Sequence, residues 1–393
     1  MDDTFISAGL KEKNFVRVSY LEQKLKKVCA ISDFRARRVH VIGAGTMGKG
    51  IATWCALKGI RVTLQDISEE TIQSAIEFAK KFFRGKNCVE SERNLIADPD
   101  GAFVSDADMV IESIVEKLEP KQMLLKHVEA LIKNETILAT NTSSLSIKTL
   151  GASLKNPARF VGLHFFNPVT ERKLVEVVNG PETSQESLNN SLAFVGQIDR
   201  LPLQVKSSPG YLLNRTFVPY IIEATRLLIE GAEAGFIDQA MEKFGMNMGP
   251  IILMDIVGLE VCLQVCENLT QNPEKEIPEL LYSLVKNNKL GQKTGEGFYR
   301  FENNRPVGES AYIKRNVDTA ITESEIQDRL IKTFLIVAES ILKEGVVSDS
   351  DTFDAGIILA AGFPKWTGGP INYAKQKGIY KHLIRKIDSY KTG

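Results

Sequence analysis

No stretch limits the fold of this chain more tightly than Arg38-Val-His-Val-Ile-Gly-Ala-Gly-Thr-Met-Gly48. A short apolar strand runs into glycines at positions 43, 45 and 48, and residues 51–57 continue as an apolar helical run. Arg61-Val-Thr-Leu-Gln-Asp66 then reads as a second strand ending on an acid. Three glycines at this spacing are a weak signal alone. Between a strand and a helix, with an acid closing the next strand, they form a dinucleotide-binding fingerprint. Gly43 permits the tight turn, Gly45 lets the backbone approach a pyrophosphate, and Gly48 lets the helix pack close to the strand. The helix start offers free N–H groups to the phosphates. Asp66 can accept from both ribose hydroxyls and would repel a 2′-phosphate, so the expected cofactor is NAD rather than NADP.

Further strands are expected at 108–112, 136–140, 160–166, 173–178 and 203–206, with helical patterns between several of them. Ile72, Ile76, Ala79 and Phe83 mark one such stripe. Alternating strands and helices imply a Rossmann-like, doubly wound, mostly parallel sheet covered on both faces. After Lys206 the strands are expected to stop, giving an all-α C-terminal domain. It carries a weak internal repeat. Asn214-Arg215 precedes Glu230-Gly231 as Asp328-Arg329 precedes Glu344-Gly345, and Met248-Gly-Pro250 is echoed by Gly368-Gly-Pro370. The polar stretch 302–310, with Asn303-Asn304 and Pro306, reads as the linker between two similar helical modules. The expected division is 1–36 as a polar, linker-like segment with a short helix near 21–28, 37–206 as the nucleotide-binding domain, and 207–302 and 303–393 as the two modules.

Lysine plus arginine and aspartate plus glutamate both number 49, so the net charge is zero. That balance argues against nucleic acid or an anionic membrane surface as partner. Five scattered cysteines, with no CxxC pair, argue against a disulfide framework and fit a reducing compartment. Cys262 and Cys266 lie in an apolar helical pattern and are expected to pack; no metal site is expected. The acidic start and the lack of a membrane-length apolar run point to a cytoplasmic protein.

Only four histidines occur, and His164 stands in the apolar run Gly162-Leu-His-Phe-Phe. Taken alone, such a residue is more often a satisfied core histidine than a catalyst. Twelve residues on, Glu176 interrupts another apolar strand, Leu174-Val-Glu-Val-Val178. A buried carboxylate is costly unless paired. If the two strands are neighbours, the acid raises the basicity of the histidine and fixes its tautomer. A base tuned in that way can remove a proton from an alcohol. Two polar clusters accompany the pair. Thr140-Asn-Thr-Ser-Ser144 follows a strand at the carboxyl edge of the sheet, as a ligand contact or as an ordinary helix cap. Lys206-Ser-Ser-Pro-Gly-Tyr-Leu-Leu-Asn-Arg215 opens the first long helix, with Asn214 as a packing amide or a substrate contact.

These stretches, in their order and spacing, resemble the L-3-hydroxyacyl-CoA dehydrogenase family. The likeness extends over residues 37–300 and adds Lys173-Leu-Val-Glu176 and Gly291-Gln-Lys-Thr-Gly-Glu-Gly-Phe-Tyr299. It implies NAD-dependent oxidation of (S)-3-hydroxyacyl-CoA to 3-ketoacyl-CoA. It makes His164 the base for the 3-hydroxyl proton and Glu176 its partner, with Ser143 and Asn214 bonding near the reacting oxygen. Gly43, Gly45, Thr46, Met47, Gly48 and Asp66 would hold NAD, and Glu116, Lys121, Asn167 and Lys293 would surround its nicotinamide half. The second helical module resembles the extra module of the multifunctional fatty-acid oxidation enzymes, where an enoyl-CoA hydratase domain precedes the dehydrogenase half. An enoyl-CoA hydratase or a thiolase is the partner so implied, and the association state is a monomer or a homodimer. The family has a longer helical arm than 87–101 offers here. Lys80 and Lys81, with Arg84 and Lys86, could still meet the phosphates of coenzyme A, or form a solvated helix face. Two other readings stay open: an NAD-dependent dehydrogenase of a 3-hydroxy acid without coenzyme A, and a catalytically silent NAD-binding or assembly protein.

Overall fold

A computed structural model describes residues 8–313 and 321–390. The chain divides into two compact units, Ser19–Tyr211 and Met1–Val18 together with Leu212–Gly393. Among the described residues no helix is long and apolar enough to cross a membrane, and all five cysteines are free.

The first unit is built on one eight-stranded sheet. Its strands are β1 (Arg38–Ile42), β2 (Arg61–Gln65), β3 (Leu95–Ala97), β4 (Met109–Glu112), β5 (Ile137–Thr140), β6 (Phe160–Phe165), β7 (Leu174–Asn179) and β8 (Leu201–Lys206). They lie in the order β3-β2-β1-β4-β5-β6-β7-β8. All neighbours are parallel except β6 and β7. Every residue of β4 and β5 is buried, as expected of strands covered on both faces. Chain order reverses between β1 and β4, and such a switch point leaves a crevice at the carboxyl ends of the strands. Val41, Val62, Leu64, Met109 and Ile111 belong to one core cluster with Ile51 and Ala52 of the helix Thr46–Leu57. That burial fixes where the glycine loop stands. Strand β3 was not expected; its three residues are too few to show a period.

In the second unit the helix Ala8–Lys27 is longer than the short helix expected near 21–28, and its residues up to Val18 belong here. The expectation that strands stop after Lys206 fails at one place. Residues 299–309 form a hairpin of β9 (Tyr299–Glu302) and β10 (Arg305–Glu309), so the expected linker is half of a β-ribbon. Asn303 and Asn304 both sit at positive φ, 48° and 62°, the backbone of a two-residue hairpin turn.

The internal repeat is a repeat of structure. Helices Leu213–Glu230, Ala234–Phe244 and Pro250–Val257 are matched by Glu323–Lys343, Ser350–Ala360 and Pro370–Lys377. Asp238 accepts from the backbone N–H of Ile251 (2.8 Å) and Ile252 (3.0 Å). Asp354 accepts likewise from Ile371 (2.9 Å) and Asn372 (3.2 Å). The glycine before each proline is required for this approach: a Cβ on Gly249 would lie 2.2 Å from the Asp238 carboxylate, and one on Gly369 2.3 Å from that of Asp354. The further donor differs. Tyr299 donates to Asp238 at 2.6 Å, whereas Arg17 of the N-terminal helix donates to Asp354 at 3.0 Å. The two long helices also clasp each other. Arg215 forms a bidentate pair with Glu344 at 2.6 and 2.8 Å, and Arg329 forms one with Glu230 at 2.5 and 3.0 Å.

Candidate active site

The carboxyl ends of the parallel strands carry the glycine loop, Asp66, Glu116 and the turn at 140–144. Gly43 follows β1 with φ of 100°, and a Cβ there would lie 2.4 Å from the Ser113 carbonyl oxygen. A Cβ on Gly48 would lie 1.7 Å from the Gly43 carbonyl oxygen. Both glycines are therefore demanded by the fold itself. Gly45 differs: it is exposed, and nothing stands within 4 Å of a Cβ placed on it. Its side of the loop is open, next to Thr46 and Met47 at the start of the twelve-residue helix, which no side chain caps. An exposed, uncapped helix start behind a glycine turn suits a pyrophosphate. Asp66, one residue past β2, is half-buried and accepts from the N–H of Ala44 (2.7 Å) and of Ser68 (3.1 Å). Its carboxylate is thus held against the glycine loop, with acceptor capacity left for a ribose. The chain's residues fit NAD at this edge.

The histidine stands three strands from β1. His164 in β6 and Glu176 in β7 are register partners in the antiparallel pair. Residues directly opposite on neighbouring strands point to one face, so register alone brings them together. Nδ1 of His164 lies 2.6 Å from Oε2 of Glu176. Glu176 is fully buried and His164 only 6% exposed. The carboxylate engages Nδ1, which leaves Nε2 as the nitrogen free to exchange a proton. The rings of Phe166 and Tyr211 pack on the imidazole, at 4.8 and 5.7 Å between centroids. Asn167 follows β6 and is exposed; its carbonyl accepts from Arg172 at 3.4 Å.

Between glycine loop and histidine runs a buried chain of charges. Glu112, at the end of β4, accepts from Thr140 at 2.6 Å and from the ammonium of Lys121 at 2.6 Å. Lys121 is 1% exposed and lies 3.3 Å from Glu116. Glu116 in turn receives the N–H groups of Ser143 (3.0 Å) and Ser144 (3.1 Å) and the hydroxyls of Thr142 and Ser144. Burial opposes ionisation of Glu116. The Lys121 charge and the bonds from Thr142, Ser144 and Ser143 outweigh it and hold the carboxyl below its ordinary range. Ser143 is thereby fixed through its own backbone. Asn141 anchors the turn to the histidine strand, its Oδ1 accepting from the Phe165 N–H at 2.9 Å.

The sequence reading missed Glu112 and gave Lys121 no protein partner. The signal was present, since Glu112 ends an apolar strand as Glu176 interrupts one, and a buried acid needs a partner. Lys80 and Lys81 lie exposed on the helix Glu69–Gly85. On that helix Arg84 pairs with Glu92 at 3.6 Å, and Lys86 stands over the Phe82 ring. Asn214 and Lys293 belong to the other unit. Asn214 is in the first turn of Leu213–Glu230, and Lys293 pairs with Glu260.

Comparison with known proteins gives a consistent result. Residues 38–208 match the family model "3-hydroxyacyl-CoA dehydrogenase, NAD binding domain", and residues 210–301 match "3-hydroxyacyl-CoA dehydrogenase, C-terminal domain". The fatty acid oxidation complex subunit alpha of Psychrobacter cryohalolentis is 33% identical over 389 residues, 92% of this chain and 54% of that protein. The chain spans about half the length of the curated relatives it matches. An (S)-3-hydroxybutyryl-CoA dehydrogenase from Ralstonia eutropha is 33% identical with a TM-score of 0.64, covering 68% of this chain and all of that one. A 3-hydroxybutyryl-CoA dehydrogenase from Escherichia coli K12 is 26% identical with a TM-score of 0.74, covering 91% of this chain and all of that one.

Proposed function

The chain belongs to the 3-hydroxyacyl-CoA dehydrogenase family, and from that premise we propose that it interconverts (S)-3-hydroxyacyl-CoA and 3-ketoacyl-CoA with His164 as the general base. The observation that carries the proposal is the 2.6 Å bond between Nδ1 of His164 and the fully buried Glu176. In the oxidative direction Nε2 of His164 takes the proton of the 3-hydroxyl, and the imidazolium so formed is stabilised by Glu176. Bound NAD supplies the acceptor for the hydride that leaves C3. In the reverse direction the imidazolium returns the proton to the 3-oxygen. The Ser143 hydroxyl and the Asn214 amide bond to that oxygen and orient it. The rings of Phe166 and Tyr211, packed on the imidazole at 4.8 and 5.7 Å between centroids, keep water from it. Gly43, Gly45, Thr46, Met47, Gly48 and Asp66 hold the adenosine and pyrophosphate half of NAD, with Asn167, Lys293 and Glu116 around its nicotinamide half. The burial of Lys121 supports a role exercised through Glu116 rather than by direct contact. Lys80 and Lys81 are assigned to the phosphates of coenzyme A.

The test is NADH absorbance on mixing the protein with acetoacetyl-CoA, with free acetoacetate in parallel. Consumption with the thioester and little with the free acid is expected. Faster consumption with the free acid would assign a substrate without coenzyme A. No consumption with either, while NADH binding is demonstrable, would contradict the proposal.

A further inference from the structure

Just before β8 the nucleotide-binding unit buries an arginine without giving it an opposite charge. Arg200 is 6% exposed. Its guanidinium donates only to backbone carbonyls, that of Val169 at 2.9 Å and that of Asp199 at 3.3 Å, and its Nε–H finds no acceptor among the described residues. The guanidinium lies 3.4 Å from the centre of the Trp54 ring, which also receives Lys58 at 4.8 Å. An aromatic face offsets part of a buried charge, but it supplies no anion. Asp199 is exposed and pairs with Lys58 at 3.1 Å. Arg159, buried to a like degree, has Glu129 at 3.7 Å. Burial accordingly pushes the Arg200 pKa down to about 10, although Asp199 and Cys55 act to raise it. A buried cation without such a partner is costly.

Arg200 lines a cavity of about 540 Å³ whose walls all belong to the unit Ser19–Tyr211. Three more cations reach it from separate elements: Lys26 from the end of the helix Ala8–Lys27, Arg35 from the segment before β1, and Lys173 from the residue before β7. None of these three pairs with an acid among the described residues. The acids of the lining are Glu22 and Asp199, so four positive charges face two negative ones, and Asp199 is engaged by Lys58. In the same wall burial raises the pKa of the half-buried Cys29 thiol, and the Arg35 and Lys26 charges act to lower it. Cations spread over a cavity of this size suit a ligand with more than one anionic group, each met by a guanidinium or an ammonium.

We propose that this cavity binds a small molecule carrying two or more oxyanion groups, phosphates or carboxylates, with Arg200 as the buried anchor and Lys26, Arg35 and Lys173 as the rim. Such a ligand supplies the charge that the protein withholds from Arg200. No lining residue is among those assigned to NAD or to the reaction, so the site stands apart from the functional reading above.

The experiment is alkylation of Cys29 by iodoacetamide in the full chain, read by peptide mass spectrometry. Cys88, half-buried and outside the cavity, is the internal reference. Inorganic pyrophosphate and citrate are the probes, with ionic strength matched by sodium chloride. At roughly ten times its dissociation constant a probe leaves about one site in eleven empty, so the Cys29 rate relative to Cys88 falls roughly tenfold. Lys173→Glu abolishes that protection. Lys126→Glu, at an exposed lysine of the helix Leu118–Glu129 outside the cavity, keeps it. Protection by pyrophosphate alone assigns phosphates, by citrate alone carboxylates, and by both the charge they share. Should Cys29 itself not react, calorimetric titration of the two probes into the unsubstituted protein and the same two variants reads the same loss. No protection or binding with either probe, binding that survives Lys173→Glu, or equal loss in the two variants overturns the proposal.

Discussion

At the scale of single residues, buried polar groups in apolar strands carried most of the information. His164 and Glu176 were each improbable core residues, and the antiparallel register pairs them. Glu112 and Lys121 obey the same rule without showing it in the sequence, because their partnership joins a strand end to a helix and has no period. His40 is a third case. It is fully buried in β1, its ring nitrogens 2.7 Å from Thr63 and 3.0 Å from Gln65. Burial lowers its pKa, against the Gln65 bond and the Asp98 charge, which act to raise it. As pH falls through the unfolded value near 6.5, the unfolded chain takes up a proton that folded His40 refuses, so its contribution is present above that pH and lost below it. Urea unfolding between about pH 7.5 and pH 5 should therefore show stability falling with acidity less steeply in His40→Gln than in the unsubstituted protein. An identical pH dependence in both would remove His40 from this role.

At the scale of elements, strands and helices with a clear period or a glycine signature were legible, and short or irregular ones were not. Strands β1, β2 and β4 to β8 fall within two residues of their expected places, whereas the helix expected at 51–57 begins five residues earlier, at Thr46. Strand β3 and the hairpin β9–β10 were not placed. In the sequence the hairpin looks like a linker because Asn303, Asn304 and Pro306 are turn formers in either setting; only the pairing of Tyr299 with Glu309 distinguishes them. The glycine loop allows a test that separates fold from function. Gly43 and Gly48 are closed in by backbone, but the space at Gly45 is open. Gly45→Val should leave the thermal midpoint within a few degrees, a typical surface effect, and weaken NADH binding at least tenfold. Fluorescence titration of NADH beside a melting curve checks both. Retained NADH affinity would place the pyrophosphate elsewhere.

At the scale of the whole molecule, the duplication was visible in the sequence as Arg and Glu fifteen residues apart in each copy. Its meaning was not, because a linear spacing suggests contacts within a copy. The structure instead pairs the Arg of each copy with the Glu of the other. The N-terminal helix, expected only as a short one near 21–28, likewise hides its length and its role in the sequence. Its role depends on Arg17 reaching Asp354, more than three hundred residues away, and no local pattern records such a contact. The proposed reaction rests on one proton, taken by His164. The decisive measurement is turnover of NADH with acetoacetyl-CoA by His164→Gln, set beside its NADH dissociation constant. A fall in kcat of roughly a hundredfold or more, the usual share of a general base, with NADH affinity within about twofold, is the expected result. A variant that turns over normally, or that loses NADH binding in the same proportion as rate, would contradict His164 as the base.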